Sequence, residues 1–314
     1  MSLLPVQPAW TLKALPEEQR WLIEGLWTDQ AVGIVGGEPK CGKSFLALDM
    51  AVSVASGTPC LRRFAAKRPG PVLLFCAEDA LHIVRARLEG ICHAASVRLD
   101  ALDIQVITAA SLRLDLAADQ HRLGETLCAL RPTLLILDPF VRLHRIDENA
   151  SGEVAPVLAY LRDLQRQLSL SVLVVHHARK GAAHLRAGQA LRGSSEFHAW
   201  GDSNLYLRRQ ADQLSLTTEH RAAPSQSGLL LALRADGPRL SLEVLDNAPA
   251  PATPSSLSPV DKVELALAQS AHPLPLSQLR AACRIRTSHL CDALAVLTQQ
   301  GRVRKTAAGY QRTP

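Results

Sequence analysis

Short, nearly continuous apolar runs alternate with helical patterns over the first two thirds of the chain. AVGIVG (31–36), PVLLFC (71–76), TLLILDPF (133–140) and LSVLVVHH (170–177) lack the apolar–polar alternation of a half-exposed strand. Such runs suit strands covered on both faces, as in a parallel sheet. DIQVITA (103–109) is a further strand candidate. Helices are predicted over 43–56, where Gly57 supplies a stop, and over ALHIVRARLEGI (80–91), 118–130 and EVAPVLAYLRDLQRQLS (153–169). This β–α alternation predicts a doubly wound α/β sheet with right-handed crossovers. Upstream, PEEQRWLIEGLW (16–27) has acids early and apolar residues at helical spacing, a helical signature within an N-terminal segment 1–30. Downstream, SNLYLRRQ, QLSLTTEH, GLLLALRA and RLSLEVLD alternate more and are joined by turn residues, which predicts a flanking antiparallel β extension.

The pattern breaks at DNAPAPATPSSLSP (246–259), rich in Pro, Ala and Ser, and this linker separates a core of 31–245 from a small domain at 260–314. In the small domain, DKVELALAQSA, LSQLRAACRI and TSHLCDALAVLTQQG read as three helices, and RVRKTAAGYQRT as a hairpin. That order describes a winged helix, whose recognition helix ordinarily enters the major groove. Arg284, Arg286, Thr287, Ser288 and His289 are candidate duplex contacts, with Arg302, Arg304 and Lys305 on the wing facing phosphate.

Charge sharpens that division. Residues 1–259 carry 27 Lys/Arg against 26 Asp/Glu, whereas the remaining 55 carry 8 against 3, so nearly all of the net +6 lies in the small domain. A basic tail domain suits a polyanionic partner. Seven widely spaced cysteines with no CxxC pair argue for a reducing cytoplasm and against a disulfide framework or a zinc site. MSLLPVQPAW lacks the basic and apolar regions of a signal peptide, and no apolar run reaches the roughly 18 residues of a membrane span.

Candidate chemistry gathers where the predicted strands end. Gly37, Glu38, Pro39, Lys40, Cys41, Gly42, Lys43 and Ser44 satisfy G-x-x-x-x-G-K-[ST] between a strand and a helix, with Phe45 next on the helix. Glycines let backbone amides turn around an anion, Lys43 reaches the β/γ-phosphates, and the Ser44 hydroxyl ligates Mg²⁺. The helix N-terminus adds its partial positive charge. Asp138 closes LLILD, where open α/β sheets bind ligands, and can hold Mg²⁺ through water beside Ser44. Glu78 closes VLLFCAE and can deprotonate the attacking water, with Asp79 as a competing choice or a helix cap. His176 and His177 close a third strand, and His177 is the better placed to sense the γ-phosphate. A histidine metal pair is rejected because no third ligand has suitable spacing.

GGEPKCGKS, FCAED, LLILDPF and above all LDPFVRLHRIDENASGEVAPVLAYLRDL and VLVVHHARKGAAHLRAGQALRGSS resemble the RecA-like AAA ATPases of the RepA type. These are hexameric plasmid-replication helicases related to DnaB and KaiC. The resemblance spans roughly residues 20–245. It implies a RecA-like P-loop core, Mg-ATP hydrolysis at subunit interfaces and a cytoplasmic ring with single-stranded DNA in its channel. By position it implies Lys43 and Ser44 at phosphate and magnesium, Glu78 as catalytic carboxylate, Asp138 as second acid and His177 as γ-phosphate sensor. It also implies Arg221 in LTTEHRAAP as the arginine inserted into the neighbour's site. Relatives often carry Lys two residues earlier, where this chain has Glu219. Arg87 and Arg192 are weaker candidates for phosphate contacts. Two loops would face the channel: 141–154, with Arg142 and Arg145, and 178–195, with Lys180 and Arg186. Aromatic residues are only 4% of the chain, so a strand held there rests on phosphate contacts rather than base stacking.

Two functions follow as expectations. One is a DNA-dependent ATPase, a ring helicase of DNA replication or maintenance. The other is an ATP-regulated DNA-binding protein of a mobile element without unwinding activity. A small-molecule kinase would need a lid and an acceptor pocket, and no segment suggests either.

Overall fold

The computed structural model describes residues 4, 6–12, 16–177, 196–210, 213–245, 259–270, 272–283, 287–306 and 308–313. The chain divides into two compact units, Met1–Asp246 and Asn247–Pro314.

The first unit is built on a mixed sheet. Its strands are β3 (Val32–Gly37), β4 (Val72–Cys76), β5 (Ile104–Val106), β6 (Leu134–Asp138), β7 (Ser171–His177), β8 (Ser203–Gln210), β9 (Gln213–His220), β10 (Gln226–Asp236) and β11 (Arg239–Val244). They lie in the order β11-β10-β9-β8-β3-β7-β6-β4-β5. All neighbours from β8 to β5 are parallel, and β8 to β11 form an antiparallel meander. SNLYLRRQ therefore departs from expectation: β8 extends the parallel core beside β3, and the antiparallel extension begins only at β9. A strand buried on both faces cannot be assigned to either pairing by its pattern alone.

The helices α1 (Lys43–Ser56), α2 (Leu81–Ala95), α3 (Ala117–Leu130), α4 (Ser151–Leu168) and α5 (Glu196–Trp200) cover the two faces. One core joins α1 and α2 to the sheet and to the meander through Leu46, Met50, Leu88, Leu216 and Leu242. The other joins α3, α4 and α5 through Leu127, Phe140, Leu161 and Phe197. Successive residues of β3 and β7 alternate between these cores, which is why their sequences read as unbroken apolar runs. α1 ends as expected, with Gly57 at φ 76° donating to Ser53.

The N-terminal segment corrects the sequence reading. Residues 16–27 form a short 3₁₀ turn and then a hairpin, β1 (Trp21–Ile23) and β2 (Trp27–Thr28), reversed at Gly25 with φ 72°. Leu22, Ile23, Leu26 and Trp27 are all fully buried. At about 1.5–3 kcal/mol per buried large side chain, docking outweighs the local helical spacing. The hairpin is held by backbone bonds from Glu24 to Ala65 and from Lys67 to Leu22.

The second unit contains α6 (Pro259–Ala268), α7 (Leu276–Cys283), α8 (Thr287–Gln299) and a hairpin of β12 (Val303–Thr306) and β13 (Gly309–Arg312). Val263, Leu267, Leu279, Leu290, Leu294, Leu297 and Val303 form its own small core. Leu274, before α7, bridges antiparallel to Tyr310. Of the expected linker 246–259, residues 246–258 lie outside the described residues, and Pro259 begins α6.

Candidate active site

The loop after β3 is shaped by what it excludes. A Cβ on Gly37 would lie 2.4 Å from the Leu207 carbonyl oxygen and 2.7 Å from Cys41 Sγ, so the loop closes only with glycine there. Lys40 (φ 63°) and Gly42 (φ 90°) are left-handed, and Gly42 is the N-cap of α1. The first amides of α1, at Lys43, Ser44 and Phe45, have no intrahelical acceptor and sit at the helix's positive end. Cys41 and Phe45 are buried and anchor the loop in the first core, while Pro39 and Lys40 are exposed. Lys43 is 5% exposed, its Nζ donating to the Glu38 carbonyl at 2.8 Å. Burial lowers its pKa, opposed by Cys41, Asp138 and Glu78.

Register carries the other residues to this loop. Gly37 pairs with His177 and Cys76 with Asp138, so β3, β7, β6 and β4 end at one rim. β7 lies between β3 and β6, and Asp138 meets α1 through a hydrogen bond donated by the Ser44 hydroxyl. Asp138 is 7% exposed, and burial pushes its pKa up to about 6 despite that bond. Lys43, Ser44, Glu78, Asp138 and His177 line one cavity of about 590 Å³, within the range of small-molecule and nucleotide sites. His176 turns the other way, buried at 1% exposure and stacked on Phe197 with ring centroids 4.3 Å apart.

Glu78 and Asp79 lie just beyond β4 rather than in it. Asp79 does not cap α2, whose N-cap is Ala80; it pairs with Arg87, on α2 and also in the cavity wall. Glu78 accepts a hydrogen bond from Arg142 Nε at 3.1 Å. Arg142, expected in a channel loop, thus reaches back to the rim, while Arg145 is exposed. Their loop is fixed by buried Phe140, Leu143 and His144, the last 3.4 Å from buried Glu148.

Arg221 is not part of this cluster. It follows β9, its backbone donates to Asp202, and Asp202 is bonded to Val32 at the start of β3, so it stands at the opposite rim of the same sheet. Its Nη2 donates to the Ala199 carbonyl at 2.6 Å and its Nε lies 3.6 Å from Asp202. Glu219 Oε2 lies 3.5 Å from His198 Nδ1. On the second unit, Arg302 is bonded to Glu264 at 2.5 Å, and Arg302, Arg304, Lys305 and His289 are exposed. Lys180, Arg186, Arg192, Arg284 and Arg286, and the side chains of Thr287 and Ser288, lie outside the described residues.

Two features of the site escaped the sequence reading. Leu233 on β10 and Leu240 on β11 line the same cavity, Leu233 at 57% exposure. The alternation of that hairpin marks them as one face but not which face. The Arg142–Glu78 pair joins residues 64 apart and leaves no local signal.

A glycine-built anion loop, a buried lysine, a serine bonded to a strand-end aspartate and a glutamate on one rim of a mostly parallel sheet define a P-loop ATPase with a core of RecA-like kind. A family model described as an AAA domain matches residues 1–183, and the chain belongs to that family. Among the described residues, no helix is long and apolar enough to cross a membrane.

Proposed function

We propose that this chain is a Mg-ATP-hydrolysing, DNA-associated RecA-like ATPase, a ring helicase of the RepA type acting in DNA replication or maintenance. The observation that carries the reading is the convergence of Lys43, Glu78, Asp138 and His177 on one cavity at the ends of four neighbouring strands, two of them in the strands and two just beyond. The donor set fits the nucleotide: the loop closes only with glycine at 37, and Gly42 at φ 90° caps the N-terminus of α1, the end of a helix that suits phosphate. Ser44 and Asp138, already within hydrogen-bond reach, offer hard oxygen ligands of the kind Mg²⁺ takes. Held by those residues, Mg²⁺ would supply neutralisation of phosphate charge. Lys43 holds phosphate oxygens, Glu78 takes a proton from the attacking water, and His177 hydrogen-bonds the terminal phosphate. Arg221, from the opposite rim of a neighbouring copy, completes the site. The order of three helices and a hairpin in the second unit supports a winged helix that brings the ring to duplex DNA through Arg304 and Lys305.

ATP hydrolysis with and without single-stranded DNA tests this, together with Lys43→Ala. Turnover stimulated by the strand and lowered by at least about 100-fold in the variant is expected. Normal hydrolysis by K43A removes the mechanism.

The second reading, an ATP-regulated DNA-binding protein that does not unwind, is favoured by Glu219. The position where relatives often present a basic residue is here an acid, 3.5 Å from His198 Nδ1 of its own subunit. A forked-substrate assay separates the two: directional, hydrolysis-dependent strand displacement supports the helicase, and duplex binding without it supports the regulator.

A further inference from the structure

The residue assigned to proton transfer and a residue assigned to nucleic-acid contact form one ion pair. Glu78 follows β4, and Arg142 closes the single 3₁₀ turn Phe140–Arg142 that follows β6. β4 and β6 are neighbours with Cys76 opposite Asp138, so their two exits run side by side. Arg142 Nε then donates to Glu78 Oε1 at 3.1 Å. The platform beneath is fixed, because Phe140 and Leu143 are fully buried. The pair itself is open to solvent, with side chains 61% and 43% exposed.

That arrangement has a chemical consequence. A carboxylate acting as a general base needs a lone pair aimed at the water it deprotonates. A guanidinium seated on Oε1 occupies that oxygen and draws the carboxylate toward the loop. An exposed ion pair is weak and exchangeable, and a nucleic-acid phosphate is an equally good partner for the guanidinium fork. We propose that Arg142 is a positioning residue that couples nucleic-acid binding to turnover. Seated on Glu78 it restrains the base; drawn away by a backbone phosphate it releases it. The inference rests on Glu78 being the base and extends that reading to how the strand stimulates hydrolysis.

The test is steady-state ATP hydrolysis by the full chain, with and without an oligo-dT strand, for wild type, Arg142→Ala and Arg142→Lys. In R142A the basal kcat rises by about two- to fivefold, the range set by an exposed ion pair. Its KM for ATP stays unchanged and the strand adds nothing further. R142K keeps a cation on Glu78 and retains the low basal rate and the stimulation. A lower kcat for R142A in both conditions overturns the proposal, since Arg142 would then be orienting Glu78 for attack. So does an R142A enzyme stimulated like wild type from an unchanged basal rate, although the DNA reading survives that result. Wild-type turnover indifferent to the strand overturns the coupling and the DNA reading together, while a raised basal rate in R142A still upholds the restraint.

Discussion

At the scale of single residues, Asp138 carries an electrostatic load that function explains and stability does not. Burial raises its pKa from 3.8 to about 6. The folded protein therefore holds this proton more tightly than the unfolded chain does. Its contribution to stability is most favourable below about pH 4, declines as pH rises to about 6, and is an uncompensated penalty above that. Roughly two pKa units correspond to about 3 kcal/mol. Asp138→Asn keeps an acceptor for Ser44 without the charge. It is expected to raise the thermal midpoint of the nucleotide-free protein at pH 8, with little change at pH 4, while Mg-dependent turnover collapses. Equal shifts at both pH values in thermal unfolding would show that burial of the charge is not the cause. Gly37 is the steric counterpart: Gly37→Ala drives a Cβ to 2.4 Å from a backbone carbonyl that cannot yield. ATP binding measured by calorimetry should be lost in that variant.

Between elements, α1 is fastened by a residue unrelated to nucleotide. Asp49 is fully buried; it accepts from Arg62 Nη2 and from the Leu61 amide, both at 2.6 Å, and so ties the turn after α1 to the helix's inner face. Asp49→Ala leaves that amide and guanidinium without their acceptor. It should destabilise the fold by roughly 3 kcal/mol, the scale of breaking a buried pair, as measured by urea unfolding. The elements were legible where burial and period agreed. β3, β4, β6 and β7 announce themselves as apolar runs, and the loop motif fixes the start of α1 at Lys43. Residues 16–27 misled because Trp21, Leu22, Leu26 and Trp27 satisfy a helical spacing and an inward-facing hairpin equally well. What separates the two is the cavity they fill, and that is made by residues far away in the chain. Lys43, Asp138 and His177 were readable for the same reason as their strands. Arg142 on Glu78, and Leu233 and Leu240 in the cavity wall, were not, since crossing from one strand exit to another has no periodicity.

For the whole molecule, the proposed completion of one copy's rim by Arg221 of another would make activity a property of the assembly. K43A and R221A proteins should each be inactive, and mixing them should restore part of the turnover through interfaces that pair an intact loop with an intact arginine. Light scattering with and without Mg-ATP should show the particle enlarge as the interface forms. A monomer that remains fully active would remove Arg221 from the mechanism.

The meander's return path fixes the kind of symmetry such an assembly can have. β9 runs against β8 and delivers Arg221 beside Val32, at the far end of β3 from Gly37. Docking that joins unlike faces of identical subunits is polar, and a two-fold pair, which matches each surface to itself, cannot provide it. Each copy added leaves a fresh donor face and a fresh acceptor face exposed, until a cycle closes or a helix grows without limit. A two-fold dimer would leave each copy's Arg221 away from the other's phosphate loop.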